Sequence, residues 1–310
     1  MSVLGFAPDQ LDALGVTVFD RGMTILLSTP GAGDLDEVVR ALAEWRREGA
    51  SMQLHPGDVG FYWQFGPERT AAALRTWSRE GRILGVGLLD GSELVRLAVD
   101  PDARMDEDLA RQMVDDVSRR ERGVLATGKA HVEALWGGRF RELLQESGWE
   151  LDEPWIPMVR DLSESVEDCG LRIEVVGPER VDDRVAVHCA AFQRSKFSAE
   201  RWHAMAAGTP YANARCLVGY DDQGDAVAAT TVWSAGPGKP GLLEPLGVHG
   251  DHQGHGYGKA MAVGAAAALR DMGASSATVC AEASNTGAVA TYRSAGYQPQ
   301  AEVRDLRRAE

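Results

Sequence analysis

Cysteine is scarce in this chain, with four among 310 residues and no C-x-x-C pair. Cysteines so far apart provide neither the closely spaced ligands of a zinc site nor the dense disulfide framework of a small secreted domain. We therefore expect free thiols in a reducing, cytoplasmic environment. The four are Cys169, Cys189, Cys216 and Cys280.

Long apolar runs and an excess of basic residues are also absent. No apolar stretch approaches the roughly 18 residues needed to cross a bilayer. The N-terminal residues lack the basic start and long apolar centre of a secretory signal. Lys and Arg number 32 against 46 Asp and Glu, for a formal net charge of −14, which argues against a nucleic-acid partner. We expect a protein that binds neither membranes nor nucleic acids.

The negative charge is unevenly distributed along the chain. Residues 1–170 contain 18 basic and 31 acidic side chains, whereas residues 171–310 contain 14 and 15. A polyanionic ligand would therefore meet less repulsion at the second half. A hydrophobic content of 44% provides ample core material, and the length favours two domains of ordinary size over one.

The most informative stretch is a glycine-rich turn between an apolar strand and an Ala-rich helix. The strand is predicted over 242–248 and the helix over 260–272. Glycines allow backbone N–H groups to converge on an anion, and the start of the helix adds the positive end of its dipole. The turn contains Gln253, Gly254, His255, Gly256, Tyr257 and Gly258, followed by Lys259.

Spacing excludes two common phosphate-binding motifs. A P-loop requires Gly-Lys followed by Ser or Thr, but Ala260 follows Lys259 here. A dinucleotide-binding turn that began at Gly254 would need its third glycine where this lysine stands. The pattern that remains is Val-x(4)-Gln-x-x-Gly-x-Gly, which begins at Val248.

A second motif lies closer to the C-terminus. Asn285 is a suitable N-cap for a helix predicted over 286–294, and Gly296 lies just past its end. Within that helix, Ala288 and Tyr292 are four positions apart and therefore share a face.

Together the two motifs resemble the core of the GNAT superfamily of acyl-CoA-dependent N-acetyltransferases, over about residues 171–310. The resemblance implies that the glycine turn binds the pyrophosphate of acetyl-CoA and that the Val248 amide contacts the thioester carbonyl. It also implies that the region of Asn285 lines the pantetheine arm and that Tyr292 protonates the leaving thiolate. The implied coenzyme-binding set is Leu246, Val248, Gln253, Gly254, His255, Gly256, Tyr257, Gly258, Lys259, Asn285 and Ala288.

Glu244 stands in the apolar strand before the turn. Simple alternation places it on one face with Leu242, Leu246 and Val248. A carboxyl group among apolar side chains has a raised proton affinity, which suits a general base; a structural ion pair is the alternative. Pro245 cannot donate to a sheet and therefore predicts a bulge or an interrupted pairing beside Glu244. The resemblance implies that the sheet opens at this strand.

The first half of the chain repeats the order of elements without the same chemistry. A shift of 149 residues places Val99 on Val248, and a shift of 148 places Leu144 on Tyr292. Positions 100–108, which follow Val99, carry five carboxylates and no glycine. Because an anion site needs donors rather than acceptors, we predict that the first copy is degenerate and does not bind the coenzyme.

The expected fold class is therefore α/β, of the α+β type, with two GNAT-like domains at 1–165 and 171–310. Each is expected to be a mixed, mainly antiparallel twisted sheet flanked by helices. This arrangement resembles that of tandem GNAT proteins of the mycothiol synthase type. The aromatic-rich segment 54–65 either faces the second copy across a cleft or is buried structure, and the sequence leaves both open.

Three histidines in and beside the turn suggest a metal site. A metal bound by His249, His252 and His255 would compete with the pyrophosphate for the turn, so we expect no metal. The resemblance implies that the first two helices of the family, which usually wall the acceptor pocket, fall at the segment 190–197 and the residues 200–203 that follow it. Their candidate acceptor contacts are Phe192, Ser195, Phe197 and Trp202.

The expected activity is transfer of the acetyl group of acetyl-CoA to a primary amine of a small molecule. Glu244 is the predicted base and Tyr292 the predicted acid. Two alternatives stay open, namely an acetyltransferase for protein or peptide amines and a non-catalytic acyl-CoA-binding protein. The sequence identifies neither the acceptor, nor the acyl chain preference, nor the oligomeric state.

Overall fold

The computed structural model describes residues 24–309. The N-terminal residues that bear on a secretory signal lie outside the described residues, as do the start of the first predicted domain and Glu310. Among residues 24–309, none of the helices combines the length and apolarity that a bilayer crossing requires.

The described residues form strands and α-helices in an order that occurs twice. The strands are β1 (Leu26–Ser28), β2 (Leu74–Arg79), β3 (Arg82–Leu89), β4 (Leu94–Val99), β5 (Ala130–Glu133), β6 (Glu150–Asp161), β7 (Arg172–Val175), β8 (Ala214–Tyr220), β9 (Ala226–Trp233), β10 (Gly241–Val248), β11 (Ser276–Glu282), β12 (Gln298–Pro299) and β13 (Val303–Arg308). The helices are α1 (Leu35–Glu44), α2 (Pro56–Tyr62), α3 (Pro67–Ala73), α4 (Glu107–Ser118), α5 (Arg139–Glu146), α6 (Val181–Ala191), α7 (Ala199–Ala206), α8 (Tyr257–Asp271) and α9 (Thr286–Ser294).

The strands join into one continuous sheet. Its order is β1-β2-β3-β4-β5-β13-β6-β11-β10-β9-β8-β7, with β12 beside β6. Neighbours are antiparallel except β4 with β5 and β10 with β11, which are the corresponding pairs of the two copies. The predicted fold class, a mixed and mainly antiparallel sheet flanked by helices, is confirmed.

The two halves exchange their last strands. β6 belongs by sequence to the first half (residues 24–170), yet its residues 155–161 pair with β11 of the second half (residues 171–309). In return β13, the last strand of the chain, pairs with β5 of the first half. The division into domains at 1–165 and 171–310 stays a prediction, but each half completes the sheet of the other.

Hydrophobic clusters lie on both faces of the sheet. In the second half, α8 buries small side chains such as Ala262, Ala265 and Ala266 in one cluster, while α6 and α7 pack in another. Alanine has the highest helix propensity and lets a helix approach the sheet closely. α8 begins at Tyr257 rather than at the predicted Ala260, because the turn already ends at the preceding glycine.

Helix α2 joins the first half to the second. A Cβ added at Gly57 or Gly60 would overlap the side chain of Trp233 on β9, which is 1% exposed. Glycine therefore allows α2 to lie directly against this ring. Of the two interpretations left open for segment 54–65, both apply, since the segment faces the second half and is largely buried.

Candidate active site

The glycine turn has the geometry of an anion-binding loop. Gly254 and Gly256 have φ values of +82° and +84°, in the left-handed region that favours glycine. Gly256 is the N-cap of α8, and no side chain caps the helix. The first amides of α8 therefore have no side-chain acceptor and are available to an anion, which the helix dipole also favours.

A cavity of about 700 Å³ lies beside this turn, and we call it the turn cavity. Both sequence motifs line it. At Gly258 an added Cβ would come within 3.1 Å of Thr291 on α9, so glycine lets the two motifs approach each other. Its wall includes Leu246, Val248, Gln253, Gly254, Gly256, Tyr257, Gly258, Lys259, Asn285 and Ala288.

His255 is the predicted coenzyme contact that does not line the turn cavity. Its Nδ1 lies 2.9 Å from the Gln253 carbonyl oxygen, and its ring stacks on Tyr257 with centroids 5.9 Å apart. Residues 24–309 hold no group of three or more His, Cys, Asp or Glu side chains arranged to bind a metal ion. The absence of a metal cofactor stays a prediction.

Strand β10 contains the bulge that Pro245 predicts. Between Leu243 and Leu246 the strand advances by three residues while its partner β9 advances by two. One extra residue is therefore accommodated at Glu244 and Pro245, whose peptide bond is cis. The predicted bulge is confirmed.

The predicted alternation along β10 is wrong, and the bulge is the reason. Leu242 packs in the cluster of α6 and α7, whereas Leu246 and Val248 pack against the cluster of α8 and α9. The extra residue shifts the alternation by one position, so residues after the bulge change faces. Leu242, Glu244, Leu246 and Val248 therefore do not share one face.

The sheet opens beside β10, as the resemblance implies. β10 pairs with β11 at Gly241 and Leu242 and separates from it after that point. His249 donates its amide to a β9 carbonyl at 2.8 Å. Because bonded and non-bonded pairs alternate in an antiparallel ladder, the preceding Val248 turns its N–H and C=O away from β9 and into the opening.

Helix α9 has the predicted bounds and cap. The Asn285 side chain accepts a hydrogen bond from the Ala288 amide at 3.1 Å, which holds the start of the helix. Tyr292 is buried in the core at 8% exposure. Among the described residues its hydroxyl has no hydrogen-bond partner, and burial raises the pKa of this phenol above its ordinary value. The hydroxyl is therefore protonated at neutral pH.

A second cavity, of about 330 Å³, lies between the two halves, and we call it the cleft cavity. Glu244 and Tyr292, the predicted base and acid, both line it. Phe192 and Leu246 line this cavity and the turn cavity alike. The two cavities therefore adjoin at these two side chains.

The environment of Glu244 gives it the proton affinity of a base near neutral pH. Its side chain is 45% accessible and lines the cleft cavity. Burial raises the pKa of Glu244 to about 7; Arg96 opposes this shift, while Asp58 and Glu133 add to it. A carboxyl group with such a pKa can gain and lose a proton under physiological conditions.

The first half supplies polar residues to this site that sequence reasoning missed. Arg96 on β4 lies 3.1 Å from Asp58, 2.9 Å from Glu133 and 3.8 Å from Glu244. Burial lowers the pKa of Arg96, but these carboxylates together outweigh burial and keep the guanidinium charged. One signal was available, since Arg96 interrupts an otherwise apolar strand just as Glu244 does.

The four candidate acceptor contacts separate into two groups. Phe192 lines both cavities. Phe197 and Trp202 are each 4% exposed in the core of α6 and α7, and Ser195 uses its hydroxyl to accept the Phe197 amide at 3.1 Å. Core packing accounts for Phe197 and Trp202, and of the four candidates Phe192 is the one that lines these two cavities.

Comparison with known proteins shows that most of the second half is similar to one family. Residues 184–297 match the acetyltransferase (GNAT) family. This stretch contains the glycine turn, Glu244 and Tyr292. No curated protein matches the chain.

Solved structures extend the likeness in fold to nearly the whole chain. A GCN5-related N-acetyltransferase from Sphaerobacter thermophilus is 18% identical, with a TM-score of 0.57 over 93% of this chain and 96% of that one. A tandem GNAT protein from the clavulanic acid biosynthesis pathway is 16% identical, with a TM-score of 0.56 over 92% and 98%. A GNAT acetyltransferase from Colwellia psychrerythraea is 13% identical, with a TM-score of 0.57 over 93% and 100%. The predicted tandem GNAT fold is confirmed.

Proposed function

Because the chain carries a GNAT acetyltransferase domain in a tandem GNAT fold, we propose that it transfers the acetyl group of acetyl-CoA to an amine of a small molecule. The observation that carries the proposal is the position of Glu244 and Tyr292. Both line one cavity, and that cavity adjoins the glycine turn through Phe192 and Leu246.

The residues of the turn cavity fit the coenzyme. The uncapped start of α8 offers amides to a pyrophosphate, and Lys259 adds a positive charge on the cavity wall. The opening between β10 and β11 exposes the main chain of Val248, whose amide would polarise a carbonyl group. Acetyl-CoA, when bound, supplies the activated acyl group as a thioester.

The two predicted catalytic side chains would act on different reactants, one on the acceptor amine and the other on the leaving thiolate. Glu244 would accept a proton from the acceptor ammonium or amine, because its pKa of about 7 leaves much of it ionised at neutral pH. Tyr292 stays protonated and would donate from its hydroxyl. Holding both reactants in adjoining cavities also converts a bimolecular encounter into an intramolecular one.

The position of Glu244 favours a small acceptor over a protein. The predicted base lies on the wall of a cavity of about 330 Å³ between the halves, which is at the lower end of the range for small-molecule sites. A side chain on a folded protein would have to enter this cleft. A non-catalytic binding protein would not need an acid and a base on the same wall.

The test is a thiol-release assay with acetyl-CoA and a panel of small amines. We expect turnover with at least one amine, and a loss of about 100-fold or more in kcat for Glu244→Gln and for Tyr292→Phe, since general acid and base groups each contribute about 10²–10⁴-fold. Tyr297→Phe is the matched control. Tyr297 is fully buried in the same core and bonds the Ala262 carbonyl rather than facing the cleft cavity.

The outcomes separate the candidate functions. Coenzyme binding without turnover on any amine would support the non-catalytic alternative. Full activity of Tyr292→Phe would overturn the role of this tyrosine as the acid. Turnover on peptide amines but on no small amine would overturn the small-molecule acceptor.

A further inference from the structure

The wall of the cleft cavity carries far more negative than positive charge. Within the described residues, Arg96 is the one Lys or Arg that lines it. The histidine on the wall, His55, is neutral, because burial lowers its pKa well below the ordinary value. Five carboxyl side chains line the same cavity, namely Asp58, Asp90, Glu133, Glu244 and Asp305.

Arg96 is already engaged by carboxylates of its own half. It forms ion pairs with Asp58 at 3.1 Å and Glu133 at 2.9 Å. Asp90 and Asp305 have no ion pair among residues 24–309, and the Oδ1 atom of Asp305 is buried without a hydrogen-bond partner there. A carboxylate on the cavity wall that forms no ion pair with these residues can instead pair with a cation in the cavity, and a cationic donor gives the strongest hydrogen bond.

Ionising these carboxyl groups without a paired cation has a free-energy cost for the folded protein. Burial and the nearby carboxylates of Glu133 and Asp152 together raise the pKa of Asp305 to about 7, although Arg96 and Arg141 oppose the shift. Glu244 experiences the same two effects. A bound cation would favour the ionised form of both groups and so remove part of this cost.

A cleft cavity of this kind fits an acceptor with more than one amine. The nitrogen that is acetylated must lose its positive charge before it reacts, so it cannot balance the carboxylates throughout the reaction. A second ammonium group keeps its charge while the first reacts. We propose that the acceptor is a small aliphatic diamine or polyamine, whose second cationic group is held by Asp305 with Asp90 at the rim. This inference rests on the proposed function.

A neighbouring aromatic space favours an aliphatic chain that extends from Glu244 toward Asp90. A cavity of about 190 Å³ shares Asp90, Arg96 and Glu244 with the cleft cavity. Its wall includes the rings of Phe61 and Tyr62 on α2. Methylene groups gain from burial against such rings, and an ammonium group is attracted to their faces.

The test measures binding without acetyl-CoA, so that it does not depend on turnover. Isothermal titration calorimetry compares spermidine with n-butylamine on the full chain. We expect spermidine to bind at least about tenfold more tightly, and Asp305→Asn to weaken spermidine binding about tenfold through loss of one charge-assisted contact. Asp90→Asn, in an exposed hairpin turn, tests the same idea without risk to the sheet.

Asp271→Asn is the matched control. This residue ends α8, and its side chain is 68% exposed, so the change removes the same charge outside the cleft cavity. Equal binding of the two amines, or unchanged spermidine binding in both Asp305→Asn and Asp90→Asn, would overturn the inference.

Turnover distinguishes the inference from the function on which it rests. Acetyl transfer to monoamines with no preference for spermidine would leave the proposed function intact and overturn the inference. Spermidine binding that depends on Asp305, without thiol release on any amine, would support a polycation site and overturn the proposed transfer.

Discussion

The turns that follow β4 and β10 occupy the same place in the two copies, but they differ in whether a side chain caps the helix that follows. After β4, Asp106 caps α4 by accepting the Leu109 amide at 2.9 Å, and it pairs with Arg79 at 2.7 Å. Asp100 accepts the Asp102 amide at 2.9 Å. After β10, no side chain caps α8.

The difference shows how one scaffold can gain or lose an anion site without a change of fold. In the first half, carboxylates of the turn accept hydrogen bonds from the amides at the start of the helix. A pyrophosphate would therefore find these donors occupied and would be repelled by the negative charge. The second half leaves the donors open. The first half has instead become a wall of the cleft cavity, where Arg96, Asp58 and Glu133 surround Glu244.

The largest expected effect comes from placing in the turn after β10 a carboxylate such as those in the turn after β4. In Gly256→Asp a carboxylate would stand at the start of α8 and repel the pyrophosphate, so we expect the affinity for coenzyme A to fall about 100-fold or more, since several charge-assisted contacts are lost together. Titration calorimetry with coenzyme A measures it.

Gly123→Asp controls for backbone strain in this experiment. Gly123 has φ +70°, and a Cβ there would meet nothing within 4 Å, so the same change is made at another left-handed glycine. Coenzyme affinity that is unchanged in Gly256→Asp would refute the assignment of the turn.

Sequence reasoning succeeded where structure depends on neighbours along the chain. The bounds of α9 and its Asn285 cap follow from spacing, and the bulge follows from Pro245. It failed on the alternation around Glu244, because a single inserted residue reverses the faces. The pattern could have drawn attention to Arg96 but could not place it beside Glu244.

The acidic wall of the cleft cavity could not be predicted for a physical reason. Asp305 reaches the cavity because β13 pairs with β5 of the first half, and Asp58 reaches it because α2 packs on Trp233. Both contacts join segments that are far apart in sequence. No local propensity encodes such pairings, and a strand exchange is compatible with the same pattern of elements as two separate sheets.

The contact between the halves can be broken at α2. In Gly60→Ala the new methyl group would overlap Trp233, and we expect the free energy of unfolding to fall by about 1–3 kcal/mol, as in overpacked cores. Urea unfolding measures it. At Gly33 a Cβ would meet nothing within 4 Å, so Gly33→Ala should leave stability nearly unchanged. Equal stability of the two variants would contradict close packing of α2 on the second half.

The influence of the first half on the predicted base can be measured by pH dependence. Activity should rise as the pH increases through about 7, where Glu244 loses its proton. Arg96 favours the ionised form, so Arg96→Met should move this rise to higher pH by about 1 unit. Arg96→Lys keeps the positive charge, so its rise in activity should stay close to the pH of the parent protein. A profile unchanged in Arg96→Met would mean that the first half does not control this base.

The smallest expected effect lies in the degenerate turn. Asp106→Ala removes the cap of α4 and should lower the free energy of unfolding by about 1 kcal/mol at neutral pH. Arg79 and the Leu109 amide lower the pKa of Asp106, so its stabilisation is present above the ordinary carboxyl pKa and is lost as the pH falls through the lower folded value. The difference between variant and parent should therefore shrink in acid, and it should appear without any gain of coenzyme binding. Measurable coenzyme binding at the first half of Asp106→Ala would mean that this one carboxylate, rather than the missing glycines, closes the first site.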